Sequence, residues 1–197
     1  MLGVVLWVVG AYLVARAAYG MYRIVEELFL LKELNLKERY GRASWAFVTG
    51  STDGIGLEFA IQLAKRGFNI VMTGRNRAKM NEKEAEIKKA NPNVQILKLE
   101  IDMKDTQEVS KVQGVLDILE NVDVSVVVNN VGVGTEDTPP LDMSMQASLD
   151  MVVVNTLPQT LFTHLFLPRL RQRESRSVII DVSSVTSVMP LPGKEIY

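Results

Sequence analysis

Cysteine is absent from all 197 residues, which excludes a disulfide scaffold, a thiolate nucleophile and a zinc–thiolate site. Histidine is nearly absent as well. His164, within TLFTHLFLP, stands alone, so a multi-histidine metal site is excluded, and its helical setting favours a structural role. Neither sign of charge dominates: 22 basic and 23 acidic side chains leave a net charge of −1. No global field therefore draws the chain to nucleic acid, and stretches such as RNRAKMNEKEAEIKK interleave the two signs as a solvated helix face does. Internal repeats and low-complexity tracts are also lacking. What remains is an ordinary globular balance, 47% apolar and 23% charged, in a length that supports one domain with its own core.

The amino terminus departs from that balance. Residues 2–22 are apolar except for Arg16, which is enough length to cross a bilayer. An arginine near one end of a span can snorkel to the interface, and Trp7, Tyr12, Tyr19 and Tyr22 suit interfacial anchoring. No charged n-region precedes the run, unlike a signal peptide. Residues 1–22 therefore read as a membrane-anchor helix, the alternative being a soluble helix docked on the domain or on a partner. Arg16, Arg23, Lys32, Lys37 and Arg39 follow, which keeps the remainder cytosolic by the positive-inside tendency. Residues 23–43, mixed and charged, read as a linker.

From Trp45 onward the rhythm changes. WAFVTG, NIVMTG, VQILKLEID, VDVSVVVNN and SVIIDVSS are short apolar runs with β-branched residues, each expected as a strand. Between them lie helical patterns: LEFAIQLAKRG, RAKMNEKEAEIKKA ended by Asn91-Pro92, residues 106–119, and a long segment over 143–170 that Pro158 is placed to interrupt. Strands alternating with helices imply a parallel sheet covered on both faces, a doubly wound Rossmann-like α/β fold over residues 44–197.

The first strand runs into the first helix through TGSTDGIG, with Gly50, Gly54 and Gly56. Glycines there permit positive φ and let backbone approach a diphosphate, whose charge sits at the helix N-terminus. The spacing is G-x-x-x-G-x-G rather than the usual G-x-G-x-x-G. At the end of the second strand an NAD-binding site would carry a carboxylate for the ribose 2′-hydroxyl. Here the strand ends MTGRNR, without an acid and with Arg75 and Arg77. A carboxylate would repel a 2′-phosphate, whereas a guanidinium binds it in a bidentate manner. NADP(H) is therefore the expected cofactor, with Arg75 as the main contact, unless both arginines only cap the strand end.

TGSTDGIG, then NNVG at 129–132 and DVSS ending the fifth strand, together resemble the short-chain dehydrogenase/reductase family, in the family's order. Thr52-Asp53, the upstream RYGRASWAFVTG and the apolar N-terminus resemble its membrane-bound branch of 17β-hydroxysteroid dehydrogenases and very-long-chain 3-oxoacyl-CoA reductases. The resemblance implies that Gly50, Ser51, Asp53, Gly54, Ile55 and Gly56 cradle the diphosphate. It also implies that Asp102 contacts the adenine amino group, that Asn129 steadies the sheet, and that Gly132 lies near the cofactor ribose. For Asp102 and Asn129, strand-end capping remains an alternative. Asn155, in MVVVNTLPQT, matches the asparagine that holds a proton-relay water.

Ser184 and Tyr197 match the family's serine and tyrosine in spacing, with Ser183 as the competing serine. In the resemblance Tyr197 donates a proton to a carbonyl oxygen, Ser184 hydrogen-bonds the same oxygen, and NADPH delivers hydride. The family's lysine falls four positions beyond Tyr197, past the last residue, so the chain reads as C-terminally cut within an active site and is expected to be inactive by itself. The expected function is reduction of a 3-oxoacyl-CoA in fatty-acid elongation, or of a steroid ketone, on the cytosolic face of the endoplasmic reticulum membrane. The resemblance implies a homodimer for the full-length form. A second reading is a membrane-tethered, non-catalytic nucleotide-binding scaffold on the same fold.

Overall fold

Five short runs form strands, being too short for helices and carrying apolar residues to bury; the fourth, VSVVVN, is rich in β-branched valine and buried throughout. They are β1 (Trp45–Val48), β2 (Asn69–Gly74), β3 (Ile96–Glu100), β4 (Val124–Asn129) and β5 (Val178–Asp181). All pair in parallel, in the order β3-β2-β1-β4-β5, as expected for the doubly wound fold. The structure, a computed structural model, describes residues 2–30, 34–134, 142–185 and 189. Because the chain fills one side of the sheet with β2 and β3 and then crosses to β4, the strand order reverses between β1 and β4. A crevice opens there, outside the carboxyl ends of the two strands.

The chain divides into two units, Met1–Asn35 and Leu36–Tyr197. In the first, α1 (Leu2–Val25) continues through a π-helical turn, Glu26–Leu30, about 40 Å of helix. Residues 3–25 are exposed throughout, Trp7 at 80%. Gly3–Leu30 is, among the described residues, the helix long and apolar enough to cross a membrane. The helix thus runs past residue 22, into the segment expected as linker. In the second unit α2 (Leu36–Tyr40) also falls within that expected linker. It is ordered because Leu36 and Tyr40, four apart and so on one face, pack against the core. Arg173 also donates to the Tyr40 carbonyl at 2.8 Å.

The sheet's two faces follow from the period of two along each strand. Ala46 and Val48 of β1 face α3 (Gly54–Lys65) and α4 (Arg77–Ala90), in a cluster with Leu57, Ile70 and Met80. Phe47 faces the other way, toward α5 (Val109–Ile118) and α6 (Met145–Arg171). Its ring lies 5.0 Å from that of Phe162 and 4.9 Å from that of Phe166. A 3-10 turn, Met103–Gln107, precedes α5 and replaces the start of the helix expected over 106–119.

Helix α6 is continuous through Pro158 and Pro168, so the expected interruption does not occur. Pro158 is itself buried, and Val154, Phe162 and Phe166 seat the helix on both sides of it. That packing offsets the roughly 3 kcal/mol an interior proline costs. The Phe166→Ala variant is expected to lose about 3–5 kcal/mol of unfolding free energy, measured by urea denaturation followed by far-UV circular dichroism.

Candidate cofactor-binding and active site

The turn after β1 is shaped by glycines with distinct requirements. Gly50 and Gly54 take φ of 63° and 49°, in the region that disfavours side chains. Gly56 is needed for closeness: a Cβ there would lie 2.4 Å from the Gly50 carbonyl oxygen and 2.4 Å from Asn130 Nδ2. Nothing lies within 4 Å of where a Gly54 Cβ would be, so the start of α3 is open. Ser51 is buried, and its hydroxyl donates to the Thr73 carbonyl at 3.3 Å while accepting from the Thr73 N–H at 3.1 Å. It therefore holds the turn to the end of β2 and does not face the crevice.

The opposite wall is the loop after β4. Thr49 Oγ1 accepts from the N–H groups of Asn130 and Val131 at 2.8 and 3.0 Å and donates to the Val128 carbonyl at 3.2 Å. Asn155, reaching over from α6, clasps Val133: Nδ2 donates to its carbonyl at 3.0 Å and Oδ1 accepts from its N–H at 2.8 Å. Buried Asn129 donates from Nδ2 to Thr163 Oγ1 and to Asp181 Oδ1, at 3.0 and 2.8 Å, joining β4, α6 and β5. Its Oδ1 has no hydrogen-bond partner among the described residues.

Between these walls lies a cleft of about 700 Å³. Gly50, Asp53, Gly54 and Ile55 line one side, Gly132 and Asn155 another, and Ser183 and Ser184 at the end of β5 a third. Eight of the residues expected from sequence are thus brought together, the competing Ser183 among them. Tyr197 lies outside the described residues. Arg75 and Asp102 line a separate recess of about 590 Å³, together with Glu100 and Lys111. Asp102 caps the 3-10 turn, its Oδ1 accepting from Lys104 N–H at 3.0 Å, which is the capping alternative in physical form. Arg75 is exposed, whereas Arg77 donates to the Lys98 carbonyl at 3.0 Å.

Electrostatics at the cleft mouth turn on one pair that sequence reasoning missed. Asp53 caps α3 by accepting from Gly54 N–H at 2.8 Å, and it pairs with Lys79 of α4 at 2.6 Å. The Lys79 hydrogen bond first, and then the Gly54 N–H, hold the Asp53 carboxyl below the ordinary aspartate range. On α6 the Lys104 ammonium does the same to Asp150, helped by Gln146. Thr49, Thr73 and Asp181 were missed too. All three lie within the quoted stretches TGSTDGIG, MTGRNR and DVSS, yet nothing local gives their roles, because each acts through a partner at least 22 positions away.

The open backbone at Gly54, the helix N-terminus behind it and the glycine-lined wall fit an extended dinucleotide diphosphate. His164 is exposed on α6, and no cluster of three or more metal-ligating side chains occurs among the described residues.

Comparison with known proteins agrees with this geometry. The profile of the short chain dehydrogenase family matches residues 44–197. A very-long-chain 3-oxoacyl-CoA reductase of Caenorhabditis briggsae is 36% identical over 97% of this chain and 62% of the relative. One of Coccidioides immitis is 30% identical over 93% of this chain and 52% of the relative. The chain thus spans little more than half the length of these curated relatives. Among solved structures, a metagenomic short-chain oxidoreductase in complex with NADP superposes with a TM-score of 0.68 at 26% identity, covering 78% of this chain and 68% of that one.

Two outcomes are expected from the site's geometry. Gly56→Ala should destabilise the fold by about 1–3 kcal/mol through overpacking against Gly50 and Asn130, read by the same urea titration. A carboxyl whose folded pKa is depressed adds stability that is complete above its unfolded value and is lost as pH falls through the folded value. The Asp53 Cγ resonance in a ¹³C titration should therefore have its midpoint below the ordinary aspartate range, and Lys79→Met should move that midpoint up toward it.

Proposed function

This chain belongs to the short-chain dehydrogenase family, and from that premise we propose that it serves a membrane-anchored, NADP(H)-dependent ketoreductase acting on a very-long-chain 3-oxoacyl-CoA. The observation that carries the reading is the single cleft in which the open glycine turn after β1 faces the serines that end β5. One wall suits a diphosphate, and the other offers hydroxyls to a polar substrate group. The relatives named as 3-oxoacyl-CoA reductases support the substrate class.

In this reading the bound nicotinamide supplies hydride to a carbonyl carbon. The Ser184 hydroxyl donates a hydrogen bond to the carbonyl oxygen, stabilising the charge that develops there. Tyr197 gives the proton that completes the hydroxyl product, acting as general acid. Asn155 positions the 131–133 wall through its two bonds to Val133. Arg75 pairs with the 2′-phosphate, Asp102 contacts the adenine amino group, and Gly132 lies near the cofactor ribose. The Gly3–Leu30 helix, with Arg23 in its carboxyl-terminal half and Lys32, Lys37 and Arg39 following it in sequence, anchors the protein with its catalytic unit on the cytosolic face of the endoplasmic reticulum.

The test is NADPH oxidation in membranes expressing the complete reading frame, with a very-long-chain 3-oxoacyl-CoA and a 17-ketosteroid compared as substrates. Turnover of the acyl-CoA is expected, and exclusive use of the steroid would overturn the substrate assignment. Ser184→Ala should lower kcat/KM by about 10²–10³-fold. Tyr197→Phe should abolish turnover and leave NADPH binding intact. Arg75→Asp should move the preference toward NADH by at least about tenfold; an unchanged preference would refute the 2′-phosphate contact.

A further inference from the structure

The Asp53–Lys79 pair is not accounted for by stability. Asp53 is 80% exposed and Lys79 39% exposed at the side chain, and ion pairs this wet contribute little to folding. Its position is more telling. Asp53 lines the main cleft beside Gly54, so its carboxylate stands where an anionic ligand must approach. Lys79 comes from the first turn of α4, fixed by its own N–H donating to the Asn76 cap at 2.9 Å.

The turn, the end of β2 and α4 also touch at Gly74: a Cβ there would lie 2.9 Å from Thr52 Cγ2 and 3.5 Å from Met80 Cγ. Arg75 follows immediately. Three elements thus bring Asp53, Arg75 and Lys79 to one end of the sheet. Arg77 is turned away onto the Lys98 carbonyl.

We propose that Lys79 is a further selectivity residue for the cofactor's 2′-phosphate, cancelling the Asp53 carboxylate at the mouth of the turn and offering its remaining N–H donors to phosphate oxygens. An ammonium carries three donors, and the pair with Asp53 occupies one. Without Lys79, the unpaired Asp53 charge opposes the dianionic phosphate more than it opposes the neutral 2′-hydroxyl of NADH. This inference rests on the NADP(H) reading above.

The experiment is equilibrium titration of the full chain in detergent micelles with NADPH and with NADH, followed by nicotinamide fluorescence. Lys79→Met is expected to weaken NADPH about tenfold more than NADH, which shares the diphosphate near Asp53 but lacks the 2′-phosphate. Adding Asp53→Asn should restore most of the loss, and Lys79→Arg should keep the preference. Equal weakening of both cofactors, or an unchanged ratio in Lys79→Met, overturns the inference. A native chain that binds neither cofactor, or binds NADH as tightly as NADPH, overturns the NADP(H) reading and this inference with it. If Arg75→Asp shifts the preference and Lys79→Met does not, only the role of Lys79 fails.

Discussion

The crevice depends on two stretches of backbone touching where an ordinary residue would hold them apart. Gly56 lets α3 begin against the Gly50 carbonyl and the Asn130 amide, both 2.4 Å from where a Cβ would sit. Thr49 then bonds the loop after β4 to the end of β1. A parallel sheet with reversed strand order opens a gap at this place, and these contacts decide its width. Asn155, Gly132 and the residues after β5 reach a common cleft because the β1–β4 junction is closed at its base.

The two ends of the sheet carry different kinds of polar work. At the amino ends of the strands Arg173, mostly buried, grips Asp123 through two nitrogens at 2.6 and 2.9 Å and holds the carbonyls of Tyr40 and Arg176. Those bonds tie α2, the start of β4 and the segment before β5 to one guanidinium, although the Asp123 carboxylate is itself 57% exposed. At the carboxyl ends the charged groups Asp53, Arg75 and Lys79 face outward. A guanidinium held by several partners fixes how segments meet, whereas exposed charges around a cleft shape what enters it.

Much of this was legible in the chain itself. Each strand was readable as a short apolar run bounded by turn or helix signals, most plainly in the β-branched valines of VSVVVN in β4. The glycines of TGSTDGIG were readable because a turn between strand and helix has few other reasons to carry three. Helix α2 was not readable: five residues hold together only through the core they pack on and the arginine bonded to Tyr40. The unbroken course of α6 through Pro158 was not either, since packing on both sides outweighs a local penalty. Ser51 and Asp102 were assigned from their positions in motifs. The structure shows their side chains bonded to nearby backbone, Ser51 to Thr73 and Asp102 to Lys104.

By itself the sequence determined the element types, the doubly wound class, the glycine turn and the apolar amino-terminal helix, because these follow from local pattern and stereochemistry. Tertiary structure alone decided which side chains share the cleft, which spend their hydrogen bonds on backbone, and that Lys79 meets Asp53 across 26 positions. Pairings at that separation are set by how helices dock on the sheet, and no local signal encodes them.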